Sequence, residues 1–377
     1  MTKRVMSTLK IALLHQAAPQ PAIGGVRKPM KPGGYADGCA DIAHALQSIG
    51  ETVITPHPNS SPSPIVDLDW SFPDTQSGIL QALSLGTNLI WPNTSMHTRH
   101  PLVDLLPELE AKGVQIVGQN VGVVEEWDDK AWLNAWLSSQ KGLEGWFPKA
   151  KLIKKGDATN WGGWGWPAIA KPVRGRGSHG VKRVSSEVEM EEAIEVLLKE
   201  SDEVLVEEYL AGEEITVTVM PPGKYSVVGD KAKHWALPVV TRFDQINGVA
   251  PWNGTVPVSA NSRVVTQTEH DTDPAYRTIQ EKCELVASIG EATAPIRIDC
   301  RRLNESGGDF VLFDVNVKPN AGGPGRPGRD SQAALTTMAA EAIGWSWPEF
   351  AREIVRGARP PREILVPRVI RKLSQIS

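Results

Sequence analysis

Apolar residues recur along the first third of the chain in two alternating rhythms. Short strand-like segments at 11–14, 52–55, 88–91 and 114–117, the first of them wholly apolar, are separated by stretches over 37–48, 77–85 and 102–112 in which apolar positions return every three to four residues. A run of four suits a strand, and the longer period suits a helix. Gly50 follows the first helical stretch as a stop signal, and a Gly/Pro-rich loop up to Gly34 and a Pro/Ser stretch over 56–64 supply connections. Strands that alternate with helices predict a parallel sheet covered on both faces. A boundary is expected near Gly122, which makes 1–121 one α/β domain.

The pattern then changes. A helical stretch over 125–138 and a break over 142–148 lead into the aromatic loop Trp161-Gly-Gly-Trp164-Gly-Trp166. Strands at 168–171, 181–184 and 204–207 flank a helix over 186–199, which Ser186 and Glu189 are spaced to open as a capping box. This is an α+β unit, 122–208. In the remainder, 209–377, Ile215, Val217 and Val219 alternate with threonines as in a half-buried strand. An irregular stretch over 241–262, a helix over 273–290, two strands on either side of 304–309 and a helix over 331–343 complete the reading.

The composition narrows the class without naming a chemistry. A chain of 377 residues with 41% hydrophobic and 22% charged residues and a net charge of −4 is that of a soluble protein of two or three domains, with no basic excess for nucleic acid. No apolar run reaches 18 residues, and the run at 11–14 is too short for a signal-peptide core, so a cytoplasmic protein with no membrane contact is expected. A homodimer is compatible with this reading. Cys39, Cys283 and Cys300 are scattered and odd in number, which indicates buried thiols rather than disulfides or zinc.

Two segments carry chemistry. Gly175-Arg176-Gly177-Ser178-His179-Gly180 has the G-x-G-x-x-G form, but a strand follows it, whereas a dinucleotide fingerprint leads into a helix. In a protein kinase the lysine follows the glycine loop, and here Lys171 precedes it. A strand, a lysine and a glycine flap form a device in which the ammonium reaches phosphate oxygens while flap N–H groups close over them. In the second segment, Arg297, Asp299 and Arg301 share one strand face, and Asp314 and Asn316 share another. Antiparallel pairing across Asn304-Glu-Ser-Gly-Gly308 brings Asp299 opposite or beside Asp314. Two carboxylates and an amide form a hard oxygen set that suits Mg²⁺ beside a polyphosphate. Without these motifs, Lys171 and the hairpin would read as solvated surface.

These segments resemble the ATP-grasp superfamily. Trp166-Pro-Ala-Ile-Ala-Lys171-Pro is similar to its P-x-I-x-K-P strand, Val204-Leu-Val-Glu-Glu-Tyr-Leu-Ala-Gly-Glu-Glu214 to its adenosine segment, and the 296–316 hairpin to its R-I-D … E-x-N element. Trp127-Asp-Asp-Lys130 resembles the M-D-K helix of the D-alanine:D-alanine ligases. The resemblance implies a three-domain fold: an N-terminal Rossmann-like parallel sheet in 1–121, a central lobe with the flap in 122–208, and a C-terminal lobe with the metal and substrate site in 209–377, the two α+β lobes clamping ATP. It implies that Lys130 and Lys171 contact phosphate, with Gly177, Ser178 and His179 closing over it. Glu208 and Leu210 form the adenine hinge, Glu207 accepts the adenine amino group, and Glu214 takes the ribose hydroxyls. Asp299, Asp314 and Asn316 hold two magnesium ions, and Arg297 stabilises the transferring phosphoryl group.

The implied activity is ATP-dependent joining of a small-molecule carboxylate to an amine through an acyl phosphate. A kinase on the same fold and a non-catalytic nucleotide-binding module are the alternatives. The departures concern substrate. The loop from Ala17 to Asp37 has no match to the family's N-terminal glutamate and carries Arg27, Lys28 and Lys31 instead. The catalytic flap serine falls on Gly177, with Ser178 beside it, and aspartate replaces the commoner glutamate at 314. Arg326 and Arg329 follow in a Gly/Pro loop, either as a clamp on a substrate carboxylate or as solvated loop residues. The basic loop and these arginines lead to the expectation of an acidic substrate rather than D-alanine.

Overall fold

The computed structural model describes residues 9–175, 177–250 and 258–369. Arg176 of the glycine turn, and 251–257 within the stretch expected to be irregular, lie outside the described residues.

Five strands, β1 (Lys10–His15), β2 (Thr52–Val53), β3 (Phe72–Pro73), β4 (Leu89–Pro92) and β5 (Gln115–Ile116), form the first sheet in the order β2-β1-β4-β5. Every pair is parallel, as expected, and β3 extends the β2 edge along the end of β1. The helix expected over 102–112 is split into Pro101–Asp104 and Leu106–Ala111. Pro107 accounts for the split, because it lacks an N–H and its ring crowds the preceding turn.

The second sheet contains β6 (Ala150–Lys154), β7 (Ala168–Pro172), β8 (Lys182–Val184) and β9 (Glu203–Glu208), all antiparallel, in the order β6-β9-β7-β8. Ala168, Ala170, Val204 and Val206 pack beneath the Glu187–Leu197 helix, which leaves Ile169, Lys171, Leu205 and Glu207 on the opposite face. Trp161 is buried in the same core, so the aromatic loop is packing. The expected capping box is half made: Ser186 accepts from the Glu189 N–H, but Glu189 turns back to the N–H of Ser185.

The third sheet runs through β10 (Glu214–Met220), which is followed by a separate hairpin of β11 (Gly223–Tyr225) and β12 (Gly229–Lys231). It continues with β13 (Trp235–Ala236), β14 (Val240–Arg242), β15 (Ser262–Val264), β16 (Ile296–Asn304) and β17 (Gly307–Asn316), in the order β15-β14-β10-β16-β17 with β13 beside β10. The expectation of a half-buried 214–220 strand needs correcting, since all seven residues of β10 are buried. Its apolar face packs on the Pro274–Ile289 helix, and the Leu335–Glu341 helix lies over part of the threonine face. Two helices follow that were not anticipated, Trp347–Arg356 and Pro361–Leu365, the first opened by a complete Ser346/Glu349 capping box.

The cores show how these layers are joined. Ile11, Leu13, Leu46 and Trp91 of the first layer share one apolar cluster with Tyr225, Leu237, Leu335, Trp345 and Phe350. The Val121–Trp127 and Lys130–Ser138 helices bury Trp127, Leu133 and Leu137 against Ile215, Ile298 and Leu312 of the third sheet. The second sheet keeps a core of its own, drawn from residues between Ile153 and Val206. The cleft lies between the free face of the second sheet and the polar face of β16 and β17.

Candidate active site

Hydrophobic alternation aims the polar residues of the β16–β17 hairpin. Ile296, Ile298, Cys300, Phe310, Leu312 and Val315 enter the core, which leaves Arg297, Asp299, Asp314 and Asn316 on the cleft side. Register pairs Arg297 with Asn316 and Asp299 with Asp314, then shifts so that Cys300 faces Leu312. Phe313 is therefore an extra residue, and this bulge turns both Phe313 and Asp314 to the cleft. The Asp299–Asp314 pairing is the one the sequence leads one to expect.

Charged groups converge on this face. Arg297 holds Asp299 with two parallel bonds, Nε to Oδ1 at 2.8 Å and Nη2 to Oδ2 at 2.9 Å, and the Asn316 amide donates to Oδ2 at 3.2 Å. Such a fork fixes the carboxylate plane. Lys130, the first residue of its helix, places Nζ 2.6 Å from Asp314 Oδ1. Lys171, 5% exposed at the end of β7, lies 2.6 Å from Glu207 Oε2 and donates to the Phe313 carbonyl at 3.2 Å. Asn134 donates to the other oxygen of Glu207 at 3.2 Å.

The electrostatics follow from this packing. Burial works against the charged forms of Lys130 and Asp314, but their mutual attraction outweighs it, so the lysine pKa is raised and the aspartate pKa lowered. Lys171 and Arg297 add to the effect on Asp314. Burial likewise opposes the Arg297 charge, and Asp299 reverses the balance and raises its pKa. At Glu214 burial dominates and raises the pKa, although Arg242 and Arg301 oppose it.

The structure thus gathers Lys130, Lys171, Glu207, Arg297, Asp299, Asp314 and Asn316 into one cleft. The remaining sequence-derived positions are distributed differently. Glu208 accepts the Lys149 N–H at 2.9 Å, and Leu210 is buried. Gly177 and Ser178 both have φ of 61°, a tight left-handed turn, and the His179 ring reaches Glu200 at 3.8 Å. Glu214 accepts from Arg242 at 3.1 Å and from Gln245 at 2.7 Å. Asn134, Arg242, Gln245 and Phe313 were missed. Asn134 lies four residues after Lys130 on the same helical face, a spacing that could have revealed it, whereas Gln245 sits in a loop without periodicity.

The arginine clamp is a correction. Arg326 is fully buried; its Nε donates to Asp41 at 2.9 Å, Nη1 to the carbonyls of Ser63 and Val66, and Nη2 to Asp67 at 2.6 Å. Arg329 bonds Asp41 at 2.5 Å and Asp37 at 3.2 Å. Neither the substrate clamp nor the solvated loop describes Arg326, because its donors tie the Gly/Pro loop to the Ala36–Ser48 helix. The basic loop is also neutralised in part, Lys28 by Asp128 and Lys31 by Asp37. With four of its cations paired to carboxylates, the expectation of an acidic substrate loses its physical basis.

The chain is similar to known ligases in sequence and in fold. The family model described as D-ala D-ala ligase C-terminus matches residues 151–355, more than half of the chain. The Vancomycin B-type resistance protein VanB of Enterococcus faecalis is 27% identical over 231 residues, which cover 61% of this chain and 64% of that protein. The D-alanine–D-alanine ligase of Actinobacillus succinogenes is 26% identical over 194 residues, 51% of this chain and 54% of that protein. The chain thus spans about half to two thirds of the length of these relatives. The D-alanine–D-alanine ligase from Bacillus anthracis complexed with ATP has a TM-score of 0.60 at 14% identity, covering 92% of this chain and 95% of that one. The VanG D-Ala:D-Ser ligase from Enterococcus faecalis gives 0.60 at 16% identity, with 93% and 99% covered. At such identities the likeness speaks for the fold, the expected ATP-grasp fold with its parallel N-terminal sheet. The match over 151–355, joined to that fold, places this chain in the D-ala D-ala ligase C-terminus family.

Proposed function

We propose that the protein is an ATP-dependent ligase that joins a small-molecule carboxylate to an amine through an acyl phosphate. The observation that carries this reading is the convergence of Lys130, Lys171 and Arg297 with Asp299, Asp314 and Asn316 on one cleft face. The donor set fits Mg²⁺, because two carboxylates and an amide leave room for phosphate oxygens and water. ATP and magnesium, when bound, would supply the activated phosphoryl group and its charge neutralisation. The chain's own part is to orient and to stabilise. Arg297 fixes the plane of Asp299, and Lys130 and Lys171 stand ready to exchange Asp314 and Glu207 for phosphate oxygens. Flap N–H groups at Gly177, Ser178 and His179 would close over the phosphates. The hinge at Glu208 and Leu210 would hold adenine.

No helix among the described residues is long and apolar enough to cross a membrane, and cytoplasmic location belongs to the same proposal. Magnesium-dependent ADP release tests the reaction class. ADP release that needs both carboxylate and amine is expected; release with one substrate and an acid-stable phosphorylated product would instead indicate a kinase. D-alanine is expected to be a poor first substrate. Residues 17–35 contain no acidic residue, and Asp37 and Asp41 are already paired with Arg329. An ammonium buried without a counter-charge costs several kcal/mol, on the order of 10²-fold or more in affinity. D-alanine emerging as preferred from a panel of neutral and acidic amino acids would refute this point alone.

A further inference from the structure

Glu214 carries a shell that the cleft motifs do not explain. Its side chain is nearly fully buried, and each oxygen has a donor: Arg242 Nη1 at 3.1 Å from Oε1 and Gln245 Nε2 at 2.7 Å from Oε2. Sheet register builds the row, since Glu214 on β10 pairs with Arg242 on β14 and with Arg301 on β16. Arg301 stands 3.9 Å from Oε2 and also donates to Gln245 Oε1. The turn that carries Gln245 is anchored, because the Gly248 carbonyl accepts from Arg301 at 2.6 Å and from the Tyr209 hydroxyl at 3.2 Å. A Cβ at Gly248 would lie 2.2 Å from that hydroxyl, so the close approach requires glycine.

A carboxylate oxygen offers two lone-pair directions, so one donor on each leaves one open on each. A carboxylate free to rotate would lose entropy on accepting two vicinal hydroxyls, whereas one held in plane is already arranged for them. We infer that Arg242 and Gln245 are positioning residues that orient the Glu214 carboxylate to accept the 2′ and 3′ hydroxyls of a ribonucleotide, making sugar identity a determinant of binding. The inference rests on the reading of Glu214 as the ribose acid. Arg242 contributes charge as well as direction, since it counters the pull of burial towards a protonated acid. Gln245 contributes direction only.

Calorimetric titration of the full chain with ADP, 2′-deoxyADP and 3′-deoxyADP separates the possibilities. The unaltered protein is expected to prefer ADP to either deoxy form by about tenfold or more, because a site built for a hydroxyl leaves polar groups unpaired with the analogue. In Gln245→Ala and Arg242→Met the preference should fall to about threefold or less, through weaker ADP binding with the deoxy forms little changed. Arg242→Lys, which keeps the charge but loses the planar donor, should fall between, and it secures the test if Arg242→Met does not fold. Equal binding of all three nucleotides by the unaltered protein would remove the ribose reading of Glu214 itself. Discrimination that persists in Gln245→Ala and Arg242→Lys would overturn the positioning role while leaving that reading intact. A uniform loss for all three ligands would mark the shell as structural, and tighter ADP binding by Gln245→Ala would make it a plug; either result overturns the inference.

Discussion

Asp314→Ala is expected to lower the rate of ADP release by about 10³-fold or more, a loss of about 4 kcal/mol of transition-state stabilisation. Asn316→Ala is expected to act in the same direction. Asp314 faces Asp299 across the hairpin and holds Lys130 at 2.6 Å, so under the proposed function its removal takes away an oxygen that would hold magnesium and leaves Lys130 without this carboxylate partner. The fold should survive, because the side chain keeps 22% of its surface in solvent and sits outside the apolar cluster beneath the strand. Asp314→Glu should retain much of the rate, as glutamate keeps the charge and the oxygens. Near-normal ADP release by the alanine variant at saturating magnesium, alongside an unchanged thermal melt, would rule out the metal assignment.

Arg326→Ala should destabilise the protein by about 3–5 kcal/mol, the scale for breaking a buried ion pair from one side. The guanidinium is fully buried and its loss strands Asp41, itself 3% exposed, with Arg329 as the remaining counter-charge. The Val66 carbonyl loses its guanidinium donor as well, and the Ser63 carbonyl keeps only the Val66 N–H at 3.1 Å. Chemical denaturation would register the change. The contrasting reading, a substrate clamp, predicts the opposite pair of results: stability unaltered and KM for the carboxylate substrate raised several-fold. Gly325 adds a second test of the same contact, because a Cβ there would lie 2.4 Å from the Asp41 carboxyl carbon, so Gly325→Ala should push the helix and loop apart.

What could be read from the sequence follows a physical divide. The 11–14 and 88–91 strands are apolar on both faces because helices cover the sheet from both sides, so continuous runs announce them. The β16–β17 register could be read because the alternation at the start of β16 and a Gly-Gly turn leave a pairing that brings Asp299 beside Asp314. Its bulge could not, since residues 310–313 are apolar at every position and hide the point at which the buried phase slips from Leu312 to Val315. β6 escaped for a related reason: it is an edge strand with Ile153 as its one buried position, which carries too little pattern to find. The burial of Arg326 was hidden most deeply. Its partners Asp41 and Asp67 are more than 250 positions away in the chain, and a Gly/Pro context reads as an exposed loop. Arginine in a loop is ordinarily solvated, and only tertiary structure shows the four hydrogen bonds this guanidinium makes.

The distribution of apolar cores bears on how the cleft opens. The first layer and the C-terminal layer are fused through one cluster, and the 121–138 helices are fused to the third sheet, whereas the flap-bearing second sheet keeps an apolar core to itself. Its ties across the cleft are polar: Lys171 to the Phe313 carbonyl, Asn134 to Glu207, and Arg174 to Asp128 and Asp129. The molecule is therefore mechanically a jaw on a solid base, not three beads on a string. Opening the jaw breaks ion pairs and hydrogen bonds and leaves the fused cores intact, so its compliance should increase with ionic strength as those ties are screened. Spin labels at the exposed Val196 and Val227, one on each body, would show the separation broadening as salt is raised; a separation indifferent to salt would mean that the jaw is held by apolar contact instead.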